Sequence, residues 1–336
     1  MTKTLYIGLG GLGTRVVSKI KSQQCAASGN GSWYVVLDRD NYDLFNRAQK
    51  DKVPFVSMGL NEPLRYYIDL FKPAQNIEEW FPTTPTFLHS VVENIGMIRA
   101  AGRLAFLYAM ESGHLDAIEN LLNEMIKGDN NLRIVIITSL AGGTGSGSFI
   151  QLALWLRNQF AKNDYYNYNI RGLFVGPEVF IDSFRWAMDD HNECEVLRGN
   201  TYAALRELGV ITKIKQGTAD QSLSNDLHLD DLLNNLVCQT GGENVFDEIF
   251  IYDSLKNSNN TSESFDEHIN DIARLLCSSF DSAATDSVLQ IERYIKSSTL
   301  LKGAYLQMCE RANRLSLSYY NPHIDKRWAE LLNNEQ

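Results

Sequence analysis

The most constraining feature of the sequence is a run of small residues between two apolar segments. Residues 132–138 (LRIVIIT) predict a buried strand, and residues 142–147 have the sequence GGTGSG. A helix is predicted to follow, because Phe149, Leu152 and Leu156 recur at helical spacing. Six consecutive small residues are expected to have no packing role. We therefore interpret this loop as a nest of backbone N–H groups at a helix N-terminus, suited to an anion.

A second glycine loop stands near the start of the chain. An apolar run at residues 4–7 is followed by residues 8–14 (GLGGLGT), which satisfy GxGxxG. Glycines permit a tight turn and the close approach of a phosphate to the backbone. Neither loop carries the lysine that GxxxxGK[ST] requires, so the sequence excludes a P-loop NTPase.

The order of the predicted elements indicates the fold class. Further strands are predicted at 33–37, 170–175 and 247–252, with mainly helical sequence at 183–209 and from Phe265 onward. Alternating strands and helices predict an α/β fold with a mainly parallel sheet covered on both faces. In such folds ligands lie at the carboxyl ends of the strands, where both glycine loops are placed.

Proline content predicts a different character for one early segment. Five of the seven prolines lie between Pro54 and Pro85. We expect this stretch to be rich in loops, with short elements only.

Composition limits the class of protein and its partners. The chain has 336 residues, 44% of them hydrophobic, and a net charge of −10, which indicates a globular protein and argues against a nucleic-acid partner. Its apolar runs are too short for a membrane span. The five cysteines are widely spaced without a CxxC or zinc-type cluster, so we expect reduced thiols, no metal site and a cytoplasmic location.

Together, the two loops resemble those of the tubulin/FtsZ superfamily, and the chain is similar to its bacterial tubulin-like members. GGTGSG is similar to the signature loop that cradles the nucleotide phosphates, and residues 8–14 resemble the first phosphate loop, GxGGxG. The resemblance covers roughly residues 4–285. It implies a tubulin/FtsZ-like, Rossmann-type GTPase domain with a mainly parallel sheet and a helical C-terminal segment. It also implies GTP or GDP as ligand, together with Mg²⁺.

The resemblance further implies contacts outside the glycine loops. Asp40 matches an acid after the second strand, and residues 100–103 resemble the region that senses the γ-phosphate. Pro177 and Arg185 match the segment that contacts ribose and base, with Asp182 one residue from the expected acid. The nucleotide contacts so predicted are Gly8, Gly10, Gly11, Leu12, Gly13, Asp40, Ala101, Gly102, Gly142, Gly143, Thr144, Gly145, Ser146, Gly147, Pro177, Asp182, Arg185, Asn200 and Asn270, the last two as base contacts.

The predicted organisation has three parts. Residues 1–260 form a nucleotide-binding domain with a family-specific insertion at about 186–246. Residues 261–285 form a central helix, and residues 286–336 form a short helical C-terminal segment.

The chain departs from the superfamily after the central helix. Tubulins and FtsZ carry a loop there whose acids complete the active site of the next subunit, and no NxDxxD-like loop is found here. Asp281, Asp286 and Asp325 are isolated acids. No catalytic residue is assigned. We therefore expect low intrinsic GTPase activity unless another copy of the chain or an unidentified protein partner completes the site.

Two other interpretations remain open from the residues. An NAD(P)-dependent Rossmann oxidoreductase would use GxGxxG with Asp38 as the ribose-binding acid. That interpretation leaves GGTGSG unexplained and has no evident His–Lys or Tyr–Lys pair. A structural module that has lost its nucleotide is the third interpretation, and the intact glycines count against it.

Overall fold

A computed structural model describes residues 2–24, 31–39, 42–60, 62–75, 81, 97–127, 131–184, 191–215, 245–254 and 264–278. In chain order, the elements of these residues are β1 (Thr2–Leu9), α1 (Gly10–Gln24), β2 (Ser32–Asp38), α2 (Tyr42–Lys50), β3 (Phe55–Ser57), α3 (Leu64–Gln75), α4 (Arg99–Glu111), α5 (Asp116–Ile126), β4 (Asn131–Ser139), α6 (Gly143–Lys162), β5 (Tyr168–Val175), α7 (Glu178–Phe184), α8 (His191–Lys215), β6 (Glu248–Tyr252) and α9 (Phe265–Ser278).

The strands form one parallel sheet in the order β3-β2-β1-β4-β5-β6. β1 lies in the middle, with Leu9 opposite both Leu37 of β2 and Thr138 of β4. The chain moves outward from β1 to β3 on one side and from β4 to β6 on the other. The boundary between β1 and β4 is therefore the switch point at which α/β sheets bind ligands. The predicted mainly parallel α/β fold is confirmed.

Helices cover both faces of the sheet, as the near-continuous apolar strands predict. Leu5 and Ile7 of β1 point into the larger core, which is completed by side chains from α3, α4, α5, α6 and α8. Tyr6 points to the opposite face, where α1, α2, α7 and α9 contribute. Alternate residues of one strand thus serve two separate cores.

The proline-rich segment is more regular than its composition suggests. The expectation of short elements only is wrong for α3, which has twelve residues. Tyr67 and Ile68 of this helix are 0% and 1% exposed in the larger core. Tertiary packing of an apolar face, rather than local composition, stabilises such a helix.

The predicted domain limits stay a prediction. α9 falls within the predicted central helix 261–285, and α8 occupies part of the predicted insertion 186–246. Tyr202 of α8 is buried in the larger core, so this part of the segment belongs to the body of the domain. Residues 286–336 and Asp281 lie outside the described residues. Among the helices that are described, none is long and apolar enough to span a bilayer.

Candidate functional site

The two glycine loops lie side by side at the carboxyl ends of β1 and β4. β1 passes directly into α1 at Gly10, and β4 leads into α6 at Gly143. A Cβ atom added to Gly10 would lie 3.4 Å from the Gly145 nitrogen and 3.7 Å from Thr144 Cβ. The first N–H groups of each helix have no partner within the helix, and helix N-termini attract negative charge. Two converging helix N-termini are suited to a multiply charged anion.

Several glycines of these loops are required for packing. A Cβ on Gly13 would lie 2.4 Å from the Ile137 carbonyl oxygen, and one on Gly145 would overlap Thr138 Oγ1 at 1.9 Å. One on Gly147 would lie 2.1 Å from the Arg99 carbonyl oxygen. The interpretation that the loop at 142–147 has no packing role is therefore wrong, because its glycines allow close backbone contacts.

Other loop positions are open. Among the residues that the structure describes, a Cβ on Gly11 would meet only Leu44 Cδ1 within 4 Å, at 3.5 Å. Gly142 and Thr144 are half-buried, whereas the intervening Gly143 is buried. The accessible positions Gly11, Gly142 and Thr144 thus surround the point where the two helices converge.

The hydroxyl groups of the α6 loop are divided between the helix and the open site. The Ser146 hydroxyl donates to the Gly142 carbonyl oxygen, and the Ser148 hydroxyl donates to the Thr144 carbonyl oxygen at 2.6 Å. Both serines are buried. The donors that remain for an anion are the backbone N–H groups and the Thr144 hydroxyl.

Asp38, at the end of β2, is unsuited to a ribose contact. Its side chain is buried, and its Oδ1 accepts a hydrogen bond from the Arg39 N–H at 2.8 Å. Burial raises the pKa of the Asp38 carboxyl from 3.8 to about 6, although that hydrogen bond and the Arg39 charge lower it. Because the Asp38 side chain is buried and already bound to the Arg39 N–H, it is poorly placed to accept hydrogen bonds from a ribose. This placement weakens the oxidoreductase interpretation.

Asp38→Asn is expected to stabilise the protein at neutral pH. Because the pKa is raised in the folded state, the folded protein binds more protons between about pH 4 and 6. The wild-type free energy of unfolding therefore falls as the pH rises through this range. The variant lacks this loss, so it should be more stable by about 2–3 kcal/mol above pH 6 and about equal below pH 4. Urea unfolding of both proteins at pH 4 and pH 7 measures the difference, and a pH-independent difference would contradict the prediction.

Comparison with known proteins identifies the family. The sequence model described as "Tubulin like" matches residues 5–316. The chain belongs to the tubulin-like family. The tubulin/FtsZ-like fold inferred from the two glycine loops is thereby confirmed. No curated protein matches the tubulin-like chain in sequence.

Solved structures of low sequence identity align with most of this chain. CetZ from Methanosaeta thermophila is 15% identical, with 89% of this chain and 60% of that chain aligned at a TM-score of 0.45. CetZ2 from Haloferax volcanii, described as a GTPγS-bound protofilament, is 16% identical, with 82% and 57% aligned at 0.45. TubZ from Bacillus thuringiensis serovar israelensis, described as a GTPγS-form protofilament, is 13% identical, with 82% and 55% aligned at 0.42. The tubulin-like chain thus spans 55–60% of the length of these three proteins.

Some of the predicted contact residues of the tubulin-like chain are buried inside the domain. Leu12 and Ala101 are 5% and 0% exposed in the two cores. A Cβ on Gly102 would lie 2.3 Å from the Gly143 carbonyl oxygen, so Gly102 lets α4 approach α6. Any nucleotide contact by these three residues would have to involve the backbone.

The predicted ribose segment lies at the carboxyl end of β5. Pro177 precedes α7 and is buried, and its carbonyl oxygen accepts from the Ile181 N–H at 3.0 Å. Asp182 is half-buried and accepts a hydrogen bond from the Ser254 hydroxyl at 2.8 Å. Arg185 and Asp40 lie outside the described residues. The ribose contacts stay a prediction.

The two predicted base contacts occupy different environments. Asn200 is 1% exposed, and its amide nitrogen donates to the carbonyl oxygens of Met97 and Ala141. Asn270 lines a cavity of about 360 Å³ between α1, α2 and α9, together with Arg15 and other polar residues. Asn270 therefore remains open to a ligand, and the role of each asparagine toward a base stays a prediction.

One candidate group was missed from the sequence. Phe265, the first residue of α9, packs against Phe180 and Phe184 of α7 with ring centroids 5.4 and 5.1 Å away. The Arg15 guanidinium lies over the Phe265 ring at 5.8 Å. The i, i+4 spacing of the two phenylalanines in α7 was the signal available for this aromatic cluster.

Proposed function

We propose that this chain binds GTP and GDP through its two glycine loops and acts as a GTPase or nucleotide-dependent switch of the tubulin-like family. The observation that carries the proposal is the convergence of the α1 and α6 N-termini at the switch point between β1 and β4. Backbone N–H groups there are suited to bind the phosphates, because each charge-assisted hydrogen bond is worth about 1.5–3 kcal/mol.

The accessible loop positions are the ones that we propose as phosphate contacts. Gly11, Gly142 and Thr144 would lie against the phosphate oxygens, and the buried glycines would hold the loops in place. We propose that Mg²⁺ would be coordinated by those phosphate oxygens and by water, as is usual at phosphate sites. The described residues contain no group of three His, Cys, Asp or Glu side chains able to hold a metal on its own.

The base would lie on the α9 side of the site. The aromatic cluster of Phe180, Phe184 and Phe265 offers rings for stacking, and Asn270 offers an amide for hydrogen bonds. Guanine rather than adenine is proposed from membership of the tubulin-like family. Residues Asp182, Arg185 and Asn200 remain proposed contacts for ribose and base.

Hydrolysis requires a group that orients the attacking water. In the tubulin/FtsZ superfamily a neighbouring subunit supplies it. We propose that a second copy of this chain, or a protein partner, does so here, and that the isolated chain turns over slowly. A bacterial, cytoplasmic protein with reduced thiols is proposed, because the five cysteines are widely spaced in the sequence and form no CxxC.

Calorimetric titration of nucleotide-stripped protein with GTP, GDP and ATP in Mg²⁺ tests this function. GTP and GDP should bind, ATP should bind at least tenfold more weakly, and phosphate release per molecule should rise with protein concentration. Turnover that is negligible at every concentration would indicate a switch that awaits a different partner. Absence of guanine-nucleotide binding would refute the proposal, and titration with NADH would then test the oxidoreductase alternative.

A further inference from the structure

Helix α8 contacts the surroundings of the α6 glycine loop through two buried polar side chains, Asn200 and Glu207. They are seven residues apart, or two helical turns, and therefore lie on the same side of the helix. The Asn200 amide donates to the Met97 and Ala141 carbonyl oxygens, both at 2.9 Å. Met97 lies just ahead of α4, and Ala141 lies just ahead of the glycine loop. One amide thus fixes the separation between the starts of α4 and α6.

Glu207 binds two arginines of α4. Its Oε2 pairs with Arg99 Nη2 at 2.5 Å, and its Oε1 pairs with Arg103 Nη1 at 3.3 Å. These three side chains are only 12%, 11% and 7% exposed, in that order. Arg99 Nη2 also donates to the Ser146 carbonyl oxygen at 3.3 Å, within the first turn of α6. Glu207 therefore orients the Arg99 guanidinium, which in turn donates a hydrogen bond to the glycine loop of α6.

Arg103 continues the connection into the next turn of α6. In the amide orientation that satisfies both of its neighbours, Gln151 accepts from Arg103 Nε at 2.9 Å and donates to the Gly147 carbonyl oxygen at 3.1 Å. The carbonyl oxygens of Ser146 and Gly147 are thus linked through α4 to one carboxylate of α8. In a buried setting such hydrogen bonds are stronger than in water and restrain the groups that they join. Within the described part of the chain, Arg99 Nε and Asn200 Oδ1 have no hydrogen-bond partner, so the restraint comes from the bonds named above.

We propose that Asn200 and Glu207 are positioning residues that hold the start of α6 in the geometry an anion requires. Neither side chain needs to touch the ligand, because both act through the backbone of the loop and through α4. The expected effect on nucleotide affinity rests on the proposed function, whereas the effect on loop geometry does not. The same contacts would make α8 sensitive to whether the loop is occupied.

Hydrogen exchange of the nucleotide-free protein tests the positioning role directly. Glu207→Gln should raise amide exchange in residues 97–103 and 143–151 about tenfold. Glu248→Gln is the matched control, because Glu248 forms a similarly buried ion pair with Arg171 at 3.0 Å, at the beginning of β6. In this control, exchange in the two segments should stay at the wild-type rate. An increase of equal size in both variants would reveal general destabilisation and overturn the proposal.

Nucleotide affinity gives the second readout. Per folded molecule, Glu207→Gln should bind GTP about tenfold more weakly than Glu248→Gln. If Glu207→Gln does not fold, Asn200→Leu, which removes two hydrogen bonds at similar volume, takes its place in the hydrogen-exchange experiment alone, because Asn200 is also a proposed base contact. Faster exchange in the two segments of a variant, with no GTP binding by the wild type, would refute the proposed function alone. Unchanged exchange in both segments would refute the positioning role.

Discussion

Gly13→Ala is expected to destabilise the domain by about 3 kcal/mol or more. The added Cβ would lie 2.4 Å from the Ile137 carbonyl oxygen and 2.8 Å from the Gly8 carbonyl carbon. Both are backbone atoms, so relief requires the β1–α1 connection to move away from β4. Urea unfolding at pH 7 should show a large decrease in the denaturant midpoint with little change in the m-value.

Gly11→Ala is the matched control for this prediction. Its added methyl group would meet Leu44 Cδ1 at 3.5 Å, an ordinary van der Waals contact and the only one within the described part of the chain. Alanine is also the better helix former by about 1 kcal/mol, and Gly11 lies in the first turn of α1. This variant should therefore be as stable as wild type or more stable. Equal losses of stability for the two variants would contradict the division of the loop into packed and open glycines.

This division changes what the glycine motifs mean. Gly8, Gly13, Gly143, Gly145 and Gly147 each bring a hypothetical Cβ within 2.6 Å of another atom of the domain. A domain that had lost its nucleotide would still need them in order to pack. Intact glycines are therefore weak support for a bound ligand. The stronger support comes from Gly11 and Thr144, where space and donors are left open.

The centre of the fold could be predicted from local sequence alone. The β-branched run at 132–138 and the glycine loop after it predicted β4, the start of α6 and a site at the carboxyl edge of the sheet. The edge of the fold was harder to predict. β3 has three residues and α3 lies in a proline-rich stretch, so neither carries a long periodic signal. Both depend on packing against distant parts of the chain.

The network behind the loop could not be predicted for a related reason. Glu207 and Arg103 stand in segments that are helical by sequence, where a charged residue is normally exposed. Their burial follows from the packing of α4, α6 and α8. Gly102, Gly143 and Gly147 bring α4 and α6 close together. The spacing of residues in the sequence predicts neither how these helices cross nor that Arg103 pairs with Glu207, 104 residues away. The same packing buries Asn200, for which the sequence predicted a base contact, and gives its amide two backbone hydrogen bonds.

Gly11→Asp is expected to weaken GTP binding about 100-fold or more while the fold is retained. An acid in the first turn of a helix is favourable by about 0.3–1 kcal/mol, and Gly11 has room for a side chain. At about 5 Å from a phosphate, however, the new carboxylate would repel it by about 3 kcal/mol at an effective dielectric constant of 20.

Gly11→Asn is the matched control for this prediction. It adds nearly the same bulk without charge, so its affinity for GTP should fall only about tenfold. Calorimetric titration with GTP, alongside thermal unfolding, separates binding from stability. Wild-type affinity in the aspartate variant would place the phosphates elsewhere, whereas equal losses in both variants would assign the effect to bulk rather than charge.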